Sequence, residues 1–458
     1  MLIFVLVATG LLSQFSSTLL LWDLKDGVVG TVPSMKSFPV GISAKSFRRL
    51  PTSFGKDNRP WLYRHFSSFP IFGEVRDGST PDADLDDTGE SIRALVPIRG
   101  DVDRSELKSF NGTVLLFGLR TTCMAPNVSV FNFNPDISPT VNITLTAPYP
   151  HWMNVNTLQN PSSITPFLNL TGENTVLARG MDQPSRPLHS DWDITSDRAF
   201  DYNYPAPRPK TGMYNTTDLG FDPEIRILYN VTYTGRGSDT RNPTWKQKDS
   251  QGPWVEIELE PNATSYSSIH VTVCVLSFMP EHGEAMLQRN KPAPEPTTQY
   301  NITEQQLNTS EVEEFLVPKF DNQRRPILNI EKDNWNIVPR LLTNTSEYPW
   351  KNTSSRAIFT LGMIDTGPAL AARNLALCSA CYVVSKGNTQ IHGNLAAIFQ
   401  SILRSTGSPA WALHGLWMLI IEAFYYDVLE QFDDFEEVSV EYFTKALIPS
   451  FSRGLTIV

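Results

Sequence analysis

The sequence predicts a mainly β protein: an antiparallel, sandwich-like ectodomain, preceded by an N-terminal hydrophobic helix and followed by a small C-terminal helical segment. Three observations predict it. Apolar and polar residues alternate in short runs split by Pro, Gly and Asn through the middle of the chain. The 34 prolines among 458 residues favour short extended segments over long helices. Eleven Asn-X-Ser/Thr sequons, at Asn111, Asn127, Asn142, Asn169, Asn215, Asn230, Asn262, Asn301, Asn308, Asn344 and Asn352, all lie between Asn111 and Ser354. That confinement is expected of a translocated segment whose asparagines are accessible to glycosylation. The hydrophobic and aromatic fractions, 41% and 11%, are those of a folding chain. A net charge of −10 without a basic patch argues against nucleic acid and against simple binding to anionic membrane surfaces.

From the N-terminus, Leu2–Trp22 carries no charge. As a helix it would reach about 32 Å, near the hydrocarbon thickness of a bilayer. Twelve of its residues are Leu, Ile, Phe or Val, with polar interruptions at Thr9, Ser13, Gln14 and Ser16–Thr18. It reads as a signal anchor, or as a cleaved signal peptide with its apolar core at Leu2–Leu12. Either places the chain after Asp23 outside the cytosol. Three regions follow: 1–24 as anchor or signal peptide, 25–370 as glycosylated β-rich ectodomain, and 371–458 as helical segment with a closing strand.

Residues 25–80 read as extended chain and turns. The acidic stretch Pro81–Glu90 reads as a solvated surface loop. Asp82, Asp84 and Asp86 alternate as in a calcium loop, but Asp87 and Arg93 stand where that loop needs Gly and Glu, so no metal is expected. In Glu224–Tyr233, Ile225, Ile227, Tyr229, Val231 and Tyr233 share one face, with the sequon Asn230 on the other. Val141–Leu145, Val255–Leu259, Ile269–Val275, Gly112–Cys123 and Asn127–Phe133 are strands on the same reasoning. Near the C-terminus, Ile391, Leu395, Ile398 and Ile402 recur at helical spacing. Ser408–Pro409 is an N-cap and first-turn pair for a second helix, Ala410 to about Glu430. That helix is apolar nearly all round and reads as a core helix, because Glu422 and Asp427 disfavour a membrane span. Val438–Leu447 is a closing strand.

The four cysteines, Cys123, Cys274, Cys378 and Cys381, read as two disulfides. Three connectivities exist. Cys123–Cys274 with Cys378–Cys381 is favoured, since the first two sit in apolar strand-like runs and the second two are neighbours. A redox Cys-X-X-Cys would need a thioredoxin-like βαβ context, and zinc a second close pair of ligands. Two Asp-Thr-Gly triplets, at Asp87 and Asp365, supply the one sharp enzymatic alternative. Aspartic peptidases pair two such carboxylates around a shared proton. Here Glu90 and Pro368 follow the triplets where those enzymes carry Ser or Thr. The seven histidines are scattered, and no two have helical ligand spacing.

Phe15–Leu24 (FSSTLLLWDL), Asp87–Pro97 (DTGESIRALVP), Gly252–Glu260 (GPWVEIELE), Val271–Phe278 (VTVCVLSF) and above all Asn394–Asp433 resemble a group of uncharacterised integral membrane proteins of filamentous fungi. The resemblance covers about a third of the chain. It implies a large glycosylated ectodomain held between membrane spans, with the first Asp-Thr-Gly as a structural feature, and it brings no activity. Set against that group, the chain begins inside what would be a longer first span, and Gly454–Val458 stands at the approach to a further one, as in a truncated gene or a shortened paralogue.

The function expected is therefore that of a cell-surface or secretory-pathway membrane protein, with the bulk of the chain extracellular or luminal. Its ectodomain is expected to be non-enzymatic, binding a protein or glycan partner or serving the envelope, without a cofactor and held to the membrane through the N-terminal helix. The alternative is a secreted aspartic peptidase using Asp87 and Asp365.

Overall fold

The computed structural model describes residues 24–41, 68–76, 85–134, 140–148, 167–175, 188–189, 193–196, 224–233, 244–248, 252–259, 267–301, 306–318, 325–331, 375–376, 389–390 and 393–449, with the single residues Val7, Thr9, Pro150 and Ser250. The described chain is mostly strands, with a small C-terminal helical part. In chain order the first strands are β1 (Leu24–Gly30), β2 (Ser34–Gly41), β3 (Gly73–Arg76), β4 (Asp86–Asp87), β5 (Ser91–Leu95), β6 (Leu107–Met124) and β7 (Asn127–Asn134). Then come β8 (Thr140–Pro148), β9 (Phe167–Thr175), β10 (Leu188–His189), β11 (Asp193–Ser196), β12 (Glu224–Tyr233), β13 (Trp245–Gln247) and β14 (Val255–Leu259). The last are β15 (Ser267–Gln288), β16 (Gln299–Asn301), β17 (Gln306–Asn308), β18 (Leu328–Ile330), β19 (Leu375–Ala376), β20 (Thr389–Gln390) and β21 (Asp434–Pro449). The helices are α1 (Asp101–Glu106), α2 (Ser310–Leu316), α3 (Gly393–Thr406) and α4 (Pro409–Leu429).

Among the described residues, sixteen strands join one sheet, and β7–β8–β9 and β16–β17 stand apart. Its axis is the antiparallel pair β6–β15, in register from Ser109 opposite Gln288 to Met124 opposite Val273. The same two strands are also linked the other way round. β6 pairs with β5, β5 with β3, β3 in parallel with β18, and β18 with β15. Five strands thus close into a ring. Alternation then fixes the two faces. Ile92, Ala94, Val114, Leu116, Ala285, Leu287, Leu328 and Ile330 form a core on the inner one. Gly73 of β3 belongs there: a Cβ on it would lie 2.8 Å from Leu287 Cδ2, so only glycine lets β3 approach so closely. The antiparallel, sandwich-like architecture expected from the sequence takes the form of one sheet closed into this ring, with one parallel pair, β3–β18. At 18 and 22 residues, β6 and β15 are long enough to serve several neighbours in succession, and the twist of strands that long coils the sheet back on itself.

The outer face of the ring, through Leu115, Phe117, Leu119, Cys123, Cys274 and Leu276, packs against α2, α3 and α4. Gly407, at φ +69°, ends α3, its N–H donating to Leu403 O at 2.9 Å. Ser408 caps α4 as the sequence predicts, its Oγ accepting from Trp411 N at 3.0 Å with Pro409 opening the helix. In length and composition α4 could cross a membrane, yet all of it but Trp411, Tyr426 and Asp427 is buried in this core. The closing strand is longer than expected, β21 running from Asp434 to Pro449. The N-terminal hydrophobic helix finds no support: of residues 2–22 only Val7 and Thr9 are described. The reading of 81–90 as a solvated loop is also corrected over its described part. Asp87 and Thr88 are buried, because β4 pairs with the C-terminal end of β6.

Candidate functional site

The strongest concentration of ionisable groups lies between the ring and the helices. Glu74 and Arg93 are cross-strand partners on β3 and β5. Their neighbours Gly73, Val75, Ile92 and Ala94 face the inner core, so the pleat turns both outward, beneath α2. Arg93 is fully enclosed. Its Nε donates to Glu74 Oε2 at 2.8 Å, and its Nη2 donates to Leu316 O at 3.1 Å. From the other side Arg325 donates to both Glu74 oxygens, and its Nε donates to Phe315 O at 3.0 Å. Two guanidiniums therefore hold one carboxylate and meet the last carbonyls of α2, where positive charge is favoured. Burial pushes the Glu74 carboxyl up, but Arg93 and then Arg325 outweigh it and bring it down to about 2. Burial lowers Arg93 to about 10, leaving it charged at neutral pH.

From α4, His414 and Glu422 enter the same layer. They are 0% and 1% exposed, and neither imidazole nitrogen and neither carboxylate oxygen finds a hydrogen-bond partner. Burial raises the Glu422 carboxyl well above the usual carboxylate range, with Arg93 pulling it only partly back. Burial, with the positive charge of Arg93, Arg76 and Arg325, holds the His414 imidazole well below its usual value. The layer thus carries a neutral acid and a neutral imidazole beside a charged Arg–Glu–Arg set. Sealed from solvent, the Arg–Glu–Arg set ties α2 to the ring, while Glu422 and His414 of α4 enter the layer without a hydrogen bond.

The other buried charges do the same kind of work. Arg104 donates to Glu295 and to the carbonyls of Ile98 and Arg99, fixing α1. Glu313 of α2 accepts from Ser401 Oγ of α3 at 2.9 Å. Asp86 accepts from Ser408 Oγ at 2.6 Å and from Ala410 N at 2.8 Å, a carboxylate on the α4 N-terminus. Among the described residues no group of three or more His, Cys, Asp and Glu is arranged to hold a metal ion.

Asp87, the first Asp-Thr-Gly carboxylate, faces Arg120. Arg120 Nε donates to Oδ1 at 3.1 Å, its Nη2 donates to Oδ2, and Thr122 Oγ1 adds a bond to Oδ1 at 3.0 Å. Both oxygens are engaged within the fold. Asp365 lies outside the described residues, as do Cys378 and Cys381.

The chain matches no protein-family model, no curated protein and no solved structure.

Cys123 and Cys274 form a disulfide between directly opposed residues of β6 and β15, with Cα atoms 4.0 Å apart. Three of the sequon asparagines have described surroundings. Asn111 on β6, Asn127 at the start of β7 and Asn308 before α2 are all exposed. The Oδ1 of Asn308 accepts from Ser310 N at 3.1 Å and from Ser310 Oγ at 2.8 Å. Asn142, Asn169, Asn230 and Asn301 lie on described strands, β8, β9, β12 and β16, but their exposure is not described. Asn215, Asn262, Asn344 and Asn352 lie outside the described residues.

Sequence reasoning missed the Glu74–Arg93–Arg325 set; for His414 it gave a helix position with a hydrogen-bonded structural role as the default, and the structure buries it on α4 without a hydrogen bond. A signal existed for Arg93, a lone charge inside the apolar run Ile92–Val96, and for Glu422, a lone acid inside an apolar helix. Nothing local marks Arg325.

Proposed function

We propose that this chain is a membrane protein of the cell surface or secretory pathway, with a non-enzymatic glycosylated ectodomain that binds a protein or glycan partner or serves the envelope. One observation carries the reading. The three sequon asparagines with described surroundings are exposed at separate places on the surface, whereas the charged groups Glu74, Arg93, Arg325, Arg104 and Glu295 are spent on bonds that hold elements together, and Glu422 and His414 are sealed from solvent. A covalent Cys123–Cys274 bridge accords with an oxidising compartment. The resemblance to fungal integral membrane proteins with glycosylated ectodomains points the same way.

The test is endoglycosidase treatment of the full chain expressed in a fungal host, with alkaline-carbonate extraction of its membranes. A mobility shift of many glycans, reduced by one step in each of Asn111→Gln, Asn127→Gln and Asn308→Gln, with the protein in the pellet, is the expected result. No shift would overturn the compartment and the function built on it. Acid-optimum proteolysis lost in both Asp87→Asn and Asp365→Asn would favour the peptidase instead. A blank glycan-array and co-precipitation screen on the glycosylated protein would leave the envelope role.

A further inference from the structure

β1 and β2 both run antiparallel to β21: Leu24–Gly30 against Pro449–Phe443, then Ser34–Gly41 against Val440–Asp434. Between them Thr31 N donates to Tyr442 O at 2.8 Å and Thr31 Oγ1 accepts from Tyr442 N at 3.0 Å, so the pairing carries across the break. On its other side β21 pairs with β6 over Ser439–Tyr442. Beyond Tyr442 the described partner of β21 is β1, and a two-stranded ribbon continues for the seven residues of β1, about 24 Å at strand rise. Val28 and Val29 are adjacent, so they point to opposite faces, and they are 48% and 36% exposed. Phe443 at the base of the ribbon is buried, whereas further out each face leaves a valine partly open. A two-stranded ribbon with partly open apolar side chains is marginal in water.

The far end of this ribbon is amphipathic in sequence, apolar Leu24, Leu447, Ile448 and Pro449 standing with charged Lys25 and Asp26: Leu24 pairs with Pro449, Lys25 with Ile448 and Asp26 with Leu447. The uncharged segment Leu2–Trp22 ends two residues before Leu24, and Phe451 follows two residues after Pro449. A Trp at the end of a membrane-length apolar run and an amphipathic strand end both suit the interface between hydrocarbon and water.

We propose that the Leu24–Gly30/Phe443–Pro449 ribbon is a membrane-proximal stem whose tip rests in the headgroup layer of a lipid bilayer. The proposal rests on the anchored reading of Leu2–Trp22 given above. The pairing of Leu24 with Pro449 brings both strands of the stem to one point of the bilayer surface.

The experiment places the photo-crosslinker p-benzoylphenylalanine in the full membrane-expressed chain, at Lys445 or Leu447 on one strand of the stem and at Val28 on the other. Phe435 is the control, exposed on the same strand β21 and ten residues from Lys445, about 34 Å at strand rise. Adducts with radiolabelled phospholipid are expected at least about tenfold above Phe435 at the stem positions, with glycosylation unchanged. Using both strands guards against one substitution that fails to fold. Retention in the carbonate pellet with adducts no greater at the stem than at Phe435 overturns the stem and leaves the anchored reading intact. Release into the carbonate supernatant overturns both.

Discussion

Glu422 keeps its proton in the fold, whereas in the unfolded chain it ionises near pH 4.5. The folded state then binds the extra proton, so stability falls as pH rises above that point, by up to about 1.4 kcal/mol per pH unit. The loss ends only where the buried carboxyl itself ionises. His414 has the opposite sign: neutral in the fold, it charges in the unfolded chain below about pH 6.5, and its contribution is lost as pH falls. Between those two values the slopes oppose; above the higher one only that of Glu422 remains. Glu422→Gln is therefore expected to flatten the decline from pH 6.5 to 8 and to be more stable than the parent at pH 8, read by urea unfolding. A parent equally stable at both values would show that Glu422 is ionised in the fold. Glu74 lies at the acid end. Held at about 2, it contributes stability above its ordinary value that disappears as pH falls towards 2, on the order of 3 kcal/mol. Removing one of its partners in Arg93→Met leaves a buried carboxylate half-compensated and is expected to cost about 3–5 kcal/mol. Arg93→Lys should not restore it, because an ammonium cannot span Glu74 and the Leu316 carbonyl as a guanidinium does. A loss under about 1 kcal/mol in the unfolding curve would mean that water replaces the guanidinium. Little of this layer was legible in advance, because its members come from β3, β5, the segment before β18 and α4.

Elements were far more legible than their partners. β12 spans Glu224–Tyr233, the stretch whose alternation defined it, and β14 spans Val255–Leu259 likewise. Their boundaries are written in local chemistry, a switch from period two to turn residues. The α3–α4 hairpin was legible for the same reason, since Ser408, Pro409 and the apolar periodicity all act within one or two turns. What local chemistry cannot express is that the acidic loop supplies Asp86 to that helix start from 322 residues away. Ser408→Ala is expected to cost about 1 kcal/mol, the ordinary value of an N-cap. Asp86→Ala should cost at least as much, since it removes acceptors from both Ser408 Oγ and Ala410 N. The double variant should lose less than the sum, because Ser408 Oγ serves both contacts. Chemical denaturation of the three variants reads this coupling, and strict additivity would show that the Asp86–Ser408 bond contributes nothing.

At the scale of the whole molecule, two strands organise the large sheet and the helices packed on it. β6 and β15 close the five-strand ring, back the helical layer with one face and fill the inner core with the other. They are joined covalently at Cys123–Cys274 across 151 residues of chain. The pairing was inferred from two apolar runs, but the sequence carries no sign that these runs are the ends of one long ladder. Contacts at that separation carry a large loop-closure cost before any packing returns it. A cross-link removes that cost from the unfolded state, by about 5 kcal/mol in the chain-entropy limit for a loop of this length and about 2–5 kcal/mol as usually measured. Cys123→Ala/Cys274→Ala is thus expected to lower the denaturant midpoint by an amount in that range. Its urea m-value should rise as well, because an unfolded chain freed of the loop exposes more surface. Both sulfurs belong to fully buried residues on the face that meets the helices, so some loss is also expected from packing. The two causes separate in the slope: a midpoint shift with an unchanged m-value would assign the loss to the core, and a raised m-value would assign it to the loop.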